Sequence, residues 1–250
     1  MWKRLTLIIT AFLLQQAQAQ EAGTIQSFEV FEGMRIEMAW IPAGSFQMGN
    51  TTGIEDRWST YEAAHPVSLS KGFWMARLEV TQELWQTVMG SNPSETTGEQ
   101  FPVTNVSWHD AMAFINQVQR FDPKFDLPTE AQWEHAAKAG TNKNYSLPRD
   151  EITWHKENSG VKVHVVGEKK PNLWGLYDIH GNVGEWTKDW FAAFESAPQS
   201  DPVGPATGER KMIKGGQFTG RPRHTQSFDR QSGTPDIKRF YVGFRLMRAK

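Results

Sequence analysis

The chain has 250 residues, a formal net charge of −1 and no cysteine. A nucleic-acid or anionic-membrane partner calls for a basic footprint that this balance lacks, and without a thiol there is no disulfide, thiolate metal site or cysteine nucleophile. Eleven Trp beside 21 Gly and 13 Pro point to a single irregular domain, its core built from large flat side chains joined by many turns.

Residues 1–19 read as an export signal. Lys3 and Arg4 lead, an apolar stretch follows over 5–14, and Ala17-Gln18-Ala19 has the small-x-small form of a cleavage site. Ten residues fall short of the roughly 20 a helix needs to cross a bilayer. The mature chain is therefore expected to begin at Gln20 and to carry −3, the −1 less the charges of Lys3 and Arg4, with no membrane span after cleavage. Residues 20–33 read as a lead-in and 34–250 as one domain. A strand is expected over 35–41, then a turn at Pro42-Ala43-Gly44, the segment 45–49, and a polar loop over 50–64.

Three helices follow. The first spans 81–89, with Thr81 as N-cap and Gly90 as stop. The second starts at Ser107, where Ser-Trp-His-Asp makes a capping box with Asp110, and continues to about 120 with Ala111, Ile115 and Val118 on one face. The third opens on the capping box Thr129-Glu130-Ala131-Gln132 and ends before Gly140, with Trp133, Ala136 and Ala137 inward. Beyond Gly140 the chain reads as loops and short strands, closing on a strand over 240–246.

Seven signatures stand in order: Phe46-Gln47-Met48-Gly49; Glu62 to Val67; Leu78-Glu79-Val80-Thr81; Pro102 to Trp108; Leu127-Pro128-Thr129-Glu130-Ala131-Gln132-Trp133-Glu134; Asn172 to Val183; and Lys214-Gly215-Gly216 with Gly243-Phe244-Arg245. Together, over residues 34–250, they resemble the formylglycine-generating enzyme (sulfatase-modifying factor) family. The resemblance implies an irregular α+β fold related to C-type lectins. In active members a pair of Cys after the Gly-Gly strand binds copper and oxidises a substrate cysteine. Aligning the motifs puts Gly220 and Thr225 at those two positions. Cu(I) selects soft thiolate ligands, so no copper and no formylglycine synthesis are expected. Gly184 stands where the family has Trp, which is expected to open space beside the Asp178 loop.

The family also binds calcium. The resemblance carries that site onto the side chains of Asp178 and Glu185 with the carbonyls of Gly181 and Val183, hard oxygen donors of the kind Ca²⁺ takes. The alternative is a metal-free turn whose carboxylates cap backbone N–H groups. Asn158 and Ser159 resemble the start of a second calcium site, with a solvated turn as the competing and preferred reading. The seven His show no His-x-x-x-His spacing, although two His and a carboxylate could still meet in space around iron.

The run containing Arg221, Arg223, His224, Arg230, Lys238 and Arg239 is locally basic. With Gly220 and Thr225 it falls where the family borders its substrate groove. Its guanidinium groups either grip carboxylates of a partner chain or brace the fold by stacking and by binding carbonyls. The expected function is an exported, periplasmic or secreted, non-catalytic module that binds another envelope or secreted protein. Cysteine-free relatives that include regulators of type VI secretion suggest that setting. The alternatives are an oxidoreductase using non-cysteine metal ligands and a calcium-dependent glycan binder.

Overall fold

The computed structural model describes residues 20–52 and 61–250. The export signal expected over 1–19 lies outside the described residues, as do residues 53–60 of the expected loop. In chain order the elements are β1 (Ile25–Phe31), β2 (Met34–Ile41), β3 (Gly44–Met48), β4 (His65–Leu69), β5 (Phe73–Ala76), α1 (Gln82–Met89), α2 (Trp108–Val118), β6 (Phe125–Asp126), α3 (Glu130–Lys138) and α4 (Arg149–Ile152). There follow β7 (Thr153–Trp154), β8 (His180–Gly181), β9 (Gly184–Trp190), β10 (Gln199–Ser200), β11 (Lys211–Lys214), a 3-10 turn (Pro222–Thr225), β12 (Gln231–Gly233), β13 (Val242–Gly243) and β14 (Met247–Ala249).

The strands form small sheets in the orders β1-β2-β5-β14-β6, β10-β4-β3, β12-β11-β9-β13 and β7-β8. This is the irregular α+β architecture expected, with few and short helices. Among the described residues no helix is long and apolar enough to cross a membrane.

The three helices start where their caps dictate. Thr81 accepts the Leu84 N–H, and the Ser107–Asp110 and Thr129–Gln132 boxes are both closed reciprocally, which satisfies backbone donors otherwise orphaned at a helix start. Gly90 ends α1 at φ 76°, while after α3 the left-handed conformation begins one residue early, at Ala139 (φ 48°), and continues at Gly140 (φ 75°). Ala111, Ile115, Val118, Trp133, Ala136 and Ala137 are fully buried, as their spacing required.

Two expectations change. The lead-in contains a strand: β1 pairs antiparallel with β2 from Ile25↔Ala39 to Phe31↔Met34, and Phe28 packs edge-on against Trp74 at 5.0 Å. The closing strand is two short strands in different sheets. Val242–Gly243 runs parallel to β9 and Met247–Ala249 antiparallel to β5, while Phe244 and Leu246 give their carbonyls to Val80 and Ala76. That crossing buries Arg245 completely between the sheets. One apolar core lies around Trp85, Phe114, Trp186 and Phe244, and a second around Trp133, Phe73, Met75 and Leu176.

Candidate functional site

Four of the signature motifs meet at one buried ionic centre. Glu185, on β9, receives Arg245 Nε at 2.9 and 2.7 Å on its two oxygens and Arg245 Nη2 at 2.6 Å on Oε1. Trp133 Nε1 donates to Oε2 at 2.7 Å. Arg245 also donates to the carbonyls of Ala76 and Tyr177, at 3.1 and 3.0 Å. Glu79 holds the Asn182 amide at 2.8 Å and the Val183 N–H at 3.1 Å, and Asn182 Oδ1 accepts from His164 N. Asp178, at φ 50°, accepts the Gly167 N–H at 2.6 Å.

Three buried carboxylates thus surround one guanidinium. Burial, then Asp178 and Glu185, push Glu79 well above the usual carboxylate range. Burial lifts Asp178 to about 6, against the Gly167 N–H and Arg245, which pull it down. Burial opposes the charge on Arg245, but Glu185, Glu79 and Asp178 hold its pKa above the ordinary value.

The expected calcium ligands do not fit this arrangement. A carboxylate offers about four acceptor positions, and the four contacts from Arg245 and Trp133 take those of Glu185. Asp178 Oδ1 is the one oxygen of the pair without a partner. Arg245 therefore stands as the counter-ion the resemblance assigned to a metal. The second expected site is a turn, but a buried one. Asn158 Oδ1 accepts from His155 N at 2.8 Å and its amide donates to Thr153 O at 3.0 Å, while Ser159 Oγ donates to Phe218 O at 2.8 Å and accepts from Val161 N at 3.0 Å. Among the described residues no three His, Asp or Glu side chains converge on a metal position.

Gly184 opens no space. A methyl group there would lie 2.9 Å from Ile213 Cγ2 and 3.5 Å from Val242 Cγ2, so aliphatic neighbours occupy the room an aromatic ring would have taken.

Gly216, at φ 74°, brings its backbone so close to the 3-10 turn that a Cβ would meet His224 O at 2.1 Å. This contact fixes the 3-10 turn against the Gly215-Gly216 segment that follows β11. Thr225 is buried; its Oγ donates to Pro222 O at 2.8 Å and lies 3.0 Å from the Tyr145 hydroxyl, and its carbonyl meets His180 Nδ1 at 2.9 Å. Burial pushes Tyr145 up to about 12 and His180 down to about 4. Both are therefore neutral across the ordinary pH range. At the positions of the family's redox pair stand a glycine and a hydroxyl already hydrogen-bonded, with no thiolate between them.

Beside this segment a cleft of about 580 Å³ is lined by Tyr61, Phe191, Arg210, Gln217, His224 and Arg239 among others. Of its basic residues the sequence singled out His224, Arg230 and Arg239, and only Arg210 is new. Arg221 and Arg223 are exposed and do not line it. Gly220 and Thr225 are buried and do not line it. His224 is held by Asp229 at 3.1 Å. Arg230 is a brace: it forms a two-pronged pair with Glu130 at 2.7 and 2.8 Å, donates to Tyr61 O and Ala192 O, and stacks over Phe194 at 3.8 Å. It also separates this cleft from one of about 450 Å³ that contains Asp189, Glu130, Met48 and Phe194.

Burial, then Glu130, lifts Asp189 to about 7, although its Oδ2 accepts the Glu130 N–H at 2.7 Å. Sequence reasoning missed Arg210 and Asp189, and named Arg245 only within a signature, without a role. Only Arg245 carried a local signal, a charge between the apolar residues Phe244 and Leu246.

Residues 24–250 match the family model of the sulfatase-modifying factor enzyme 1-like domain. The chain is similar to the formylglycine-generating enzyme of Thermomonospora curvata, 32% identical over 69% of this chain and 63% of that enzyme, so it spans less than two thirds of that relative's length. It is similar to the chaperone protein LppX of Paenibacillus barcinonensis, 27% identical over 81% of this chain and 92% of that protein. Among solved structures, Treponema denticola variable protein 1 superposes with a TM-score of 0.81 at 31% identity, covering 90% of this chain and 99% of that one. The chain belongs to the sulfatase-modifying factor enzyme 1-like family.

Proposed function

We propose that this chain is an exported, non-catalytic module that seats a segment of another envelope or secreted protein in the cleft beside Gln217 and His224. The observation that carries the reading is the state of residues 220 and 225. The scaffold around them is complete, yet a glycine and a hydrogen-bonded threonine hydroxyl occupy the places of the redox pair. Such a site retains the shape that holds a chain and lacks the sulfur that would oxidise one. The name of the LppX relative, a chaperone, fits holding without turnover. An accessory role in an envelope or secretion system, type VI secretion included, is the setting in which such a module would act.

Neither alternative has a comparable observation behind it. A non-cysteine oxidoreductase needs converging ligands, which the described residues do not bring together. A calcium-dependent glycan binder needs an ion whose expected ligand Glu185 is committed to Arg245.

The test has two arms. Purified protein, supplied with Cu(I), oxygen and a cysteine-containing peptide, is expected to form no aldehyde detectable by hydrazide labelling; aldehyde formation overturns the reading. A photo-crosslinker at Gln217, in cells of the native host, is expected to capture a saturable protein adduct that the same probe at the exposed Arg120 does not. Equal or no capture at the two positions counts against a binding cleft.

A further inference from the structure

We infer that the occupant of this cleft is an acidic peptide segment, held by Arg210 and Arg239. The inference rests on the binding-module reading and supplies the chemistry of the partner.

The described arginines divide sharply. Arg77 pairs with Glu37, Arg230 with Glu130, Arg245 with Glu185 and Arg248 with Asp122. Among the described residues, Arg210 and Arg239 have no carboxylate partner. Both turn instead to one residue on β12: Arg210 donates to Ser232 Oγ at 2.9 Å and Ser232 O at 2.7 Å, and Arg239 Nη2 reaches the same carbonyl at 3.4 Å. β12 is the outer strand of its sheet, paired only with β11. The two side chains therefore cover an edge carbonyl that would otherwise invite another strand.

Anchored on one oxygen, two uncompensated guanidinium groups stand side by side along one wall. The other ionisable groups of the lining do not cancel them. His224 faces Asp229 and Arg230 faces Glu130, while the acids Glu62 and Asp229 are only 3% and 4% exposed.

Arginine's planar fork suits a carboxylate, which it binds through two parallel charge-assisted hydrogen bonds. The same cleft is lined by Tyr61 and Phe191, ring centroids 5.6 Å apart, and by the Gln217 and Gln231 side chains bonded to each other at 3.0 Å. A volume of about 580 Å³ admits several residues of an extended chain rather than a single ion. Arginine, aromatic rings and amides lining one cleft describe a place for Asp or Glu side chains flanked by apolar ones.

Short fluorescent peptides test this by anisotropy: one with alternating Glu and Leu, one with Gln for Glu, and one with Lys for Glu. The Glu peptide is expected to bind at least tenfold more tightly than the Gln peptide and to weaken as salt rises. In the Arg210→Ala, Arg239→Ala double variant that preference should disappear, with Arg221→Ala as an unaffected exposed control. Circular dichroism and melting confirm that the double variant folds; Arg210→Gln with Arg239→Gln replaces it if not. Equal affinity for the Glu and Gln peptides, or no binding of either, overturns the inference. Competition by inorganic phosphate at the affinity of the Glu peptide reduces the site to a general anion trap and overturns it too. The Gln217 crosslink separates the two readings. An adduct that survives in the double variant keeps the binding module and discards the acidic partner.

Discussion

Arg245 and Arg210 are the same side chain in opposite circumstances. Arg245 is fully buried, gives its donors to Glu185 and to backbone carbonyls, and is enclosed by three carboxylates. Arg210 is exposed, has no carboxylate partner among the described residues, and leans on one serine. A fully compensated charge has nothing left to offer a ligand, whereas an uncompensated one at a cleft wall does. In this molecule the densest cluster of charged signature residues is the brace, and the sparser basic wall is where binding chemistry remains.

The largest effect expected from breaking this comparison is at the brace. Replacing Arg245 by Met leaves Glu185 buried with Glu79 and Asp178 and no cation, and removing one partner of a buried pair costs about 3–5 kcal/mol. Urea unfolding should show a loss of that size, and adding Glu185→Gln to the variant should recover part of it. A loss under about 1 kcal/mol would mean that water or another cation reaches the centre, and the contrast with Arg210 would collapse.

Asp189 is the intermediate case, a buried acid on a cleft wall. Its folded pKa of about 7 lies above the ordinary 3.8, raised first by burial and then by Glu130. The folded protein therefore holds this proton more tightly than the unfolded chain does. Its stabilising contribution is complete below about pH 4 and is lost as pH rises through about 7. Asp189→Asn keeps an oxygen for the Glu130 N–H and removes the titration. Relative to wild type the variant should gain on the order of 2 kcal/mol between about pH 5 and about pH 8, read from paired urea curves. A difference that stays flat with pH would show that Asp189 ionises freely in the fold.

What could be read from the sequence and what could not follow the range of the interactions. Thr81, Ser107 with Asp110, and Thr129 with Gln132 act over three residues, and all three helices began where those residues stood. β1 depends on pairing with a neighbour that covers its backbone, and nothing in residues 25–31 alone announces that neighbour. The ionic centre draws on residues 79, 133, 178, 185 and 245. Spacing along the chain carries no trace of their convergence, so Asp178 and Glu185 looked like a pair awaiting a metal. Gly184 shows a related limit. A missing side chain can be seen in a sequence, but the Ile213 and Val242 methyls that fill its place cannot.

The smallest effect expected is the response to calcium, and it bears most directly on the brace. A ligand that binds only the folded state stabilises it by about 2.7 kcal/mol at a hundredfold excess over its dissociation constant. In a protein of this size each kcal/mol is worth about 2–4 °C in Tm, so an occupied site should raise the melting temperature by roughly 5–10 °C. With the acceptor positions of Glu185 filled by Arg245 and Trp133, a shift below about 1 °C is expected between calcium and a chelator. A rise of several degrees that vanishes in Asp178→Asn would show that the unpartnered Asp178 oxygen recruits the ion. Glu185 would then have to release part of Arg245 to complete the cage, and the guanidinium would be a displaceable counter-ion rather than a permanent one.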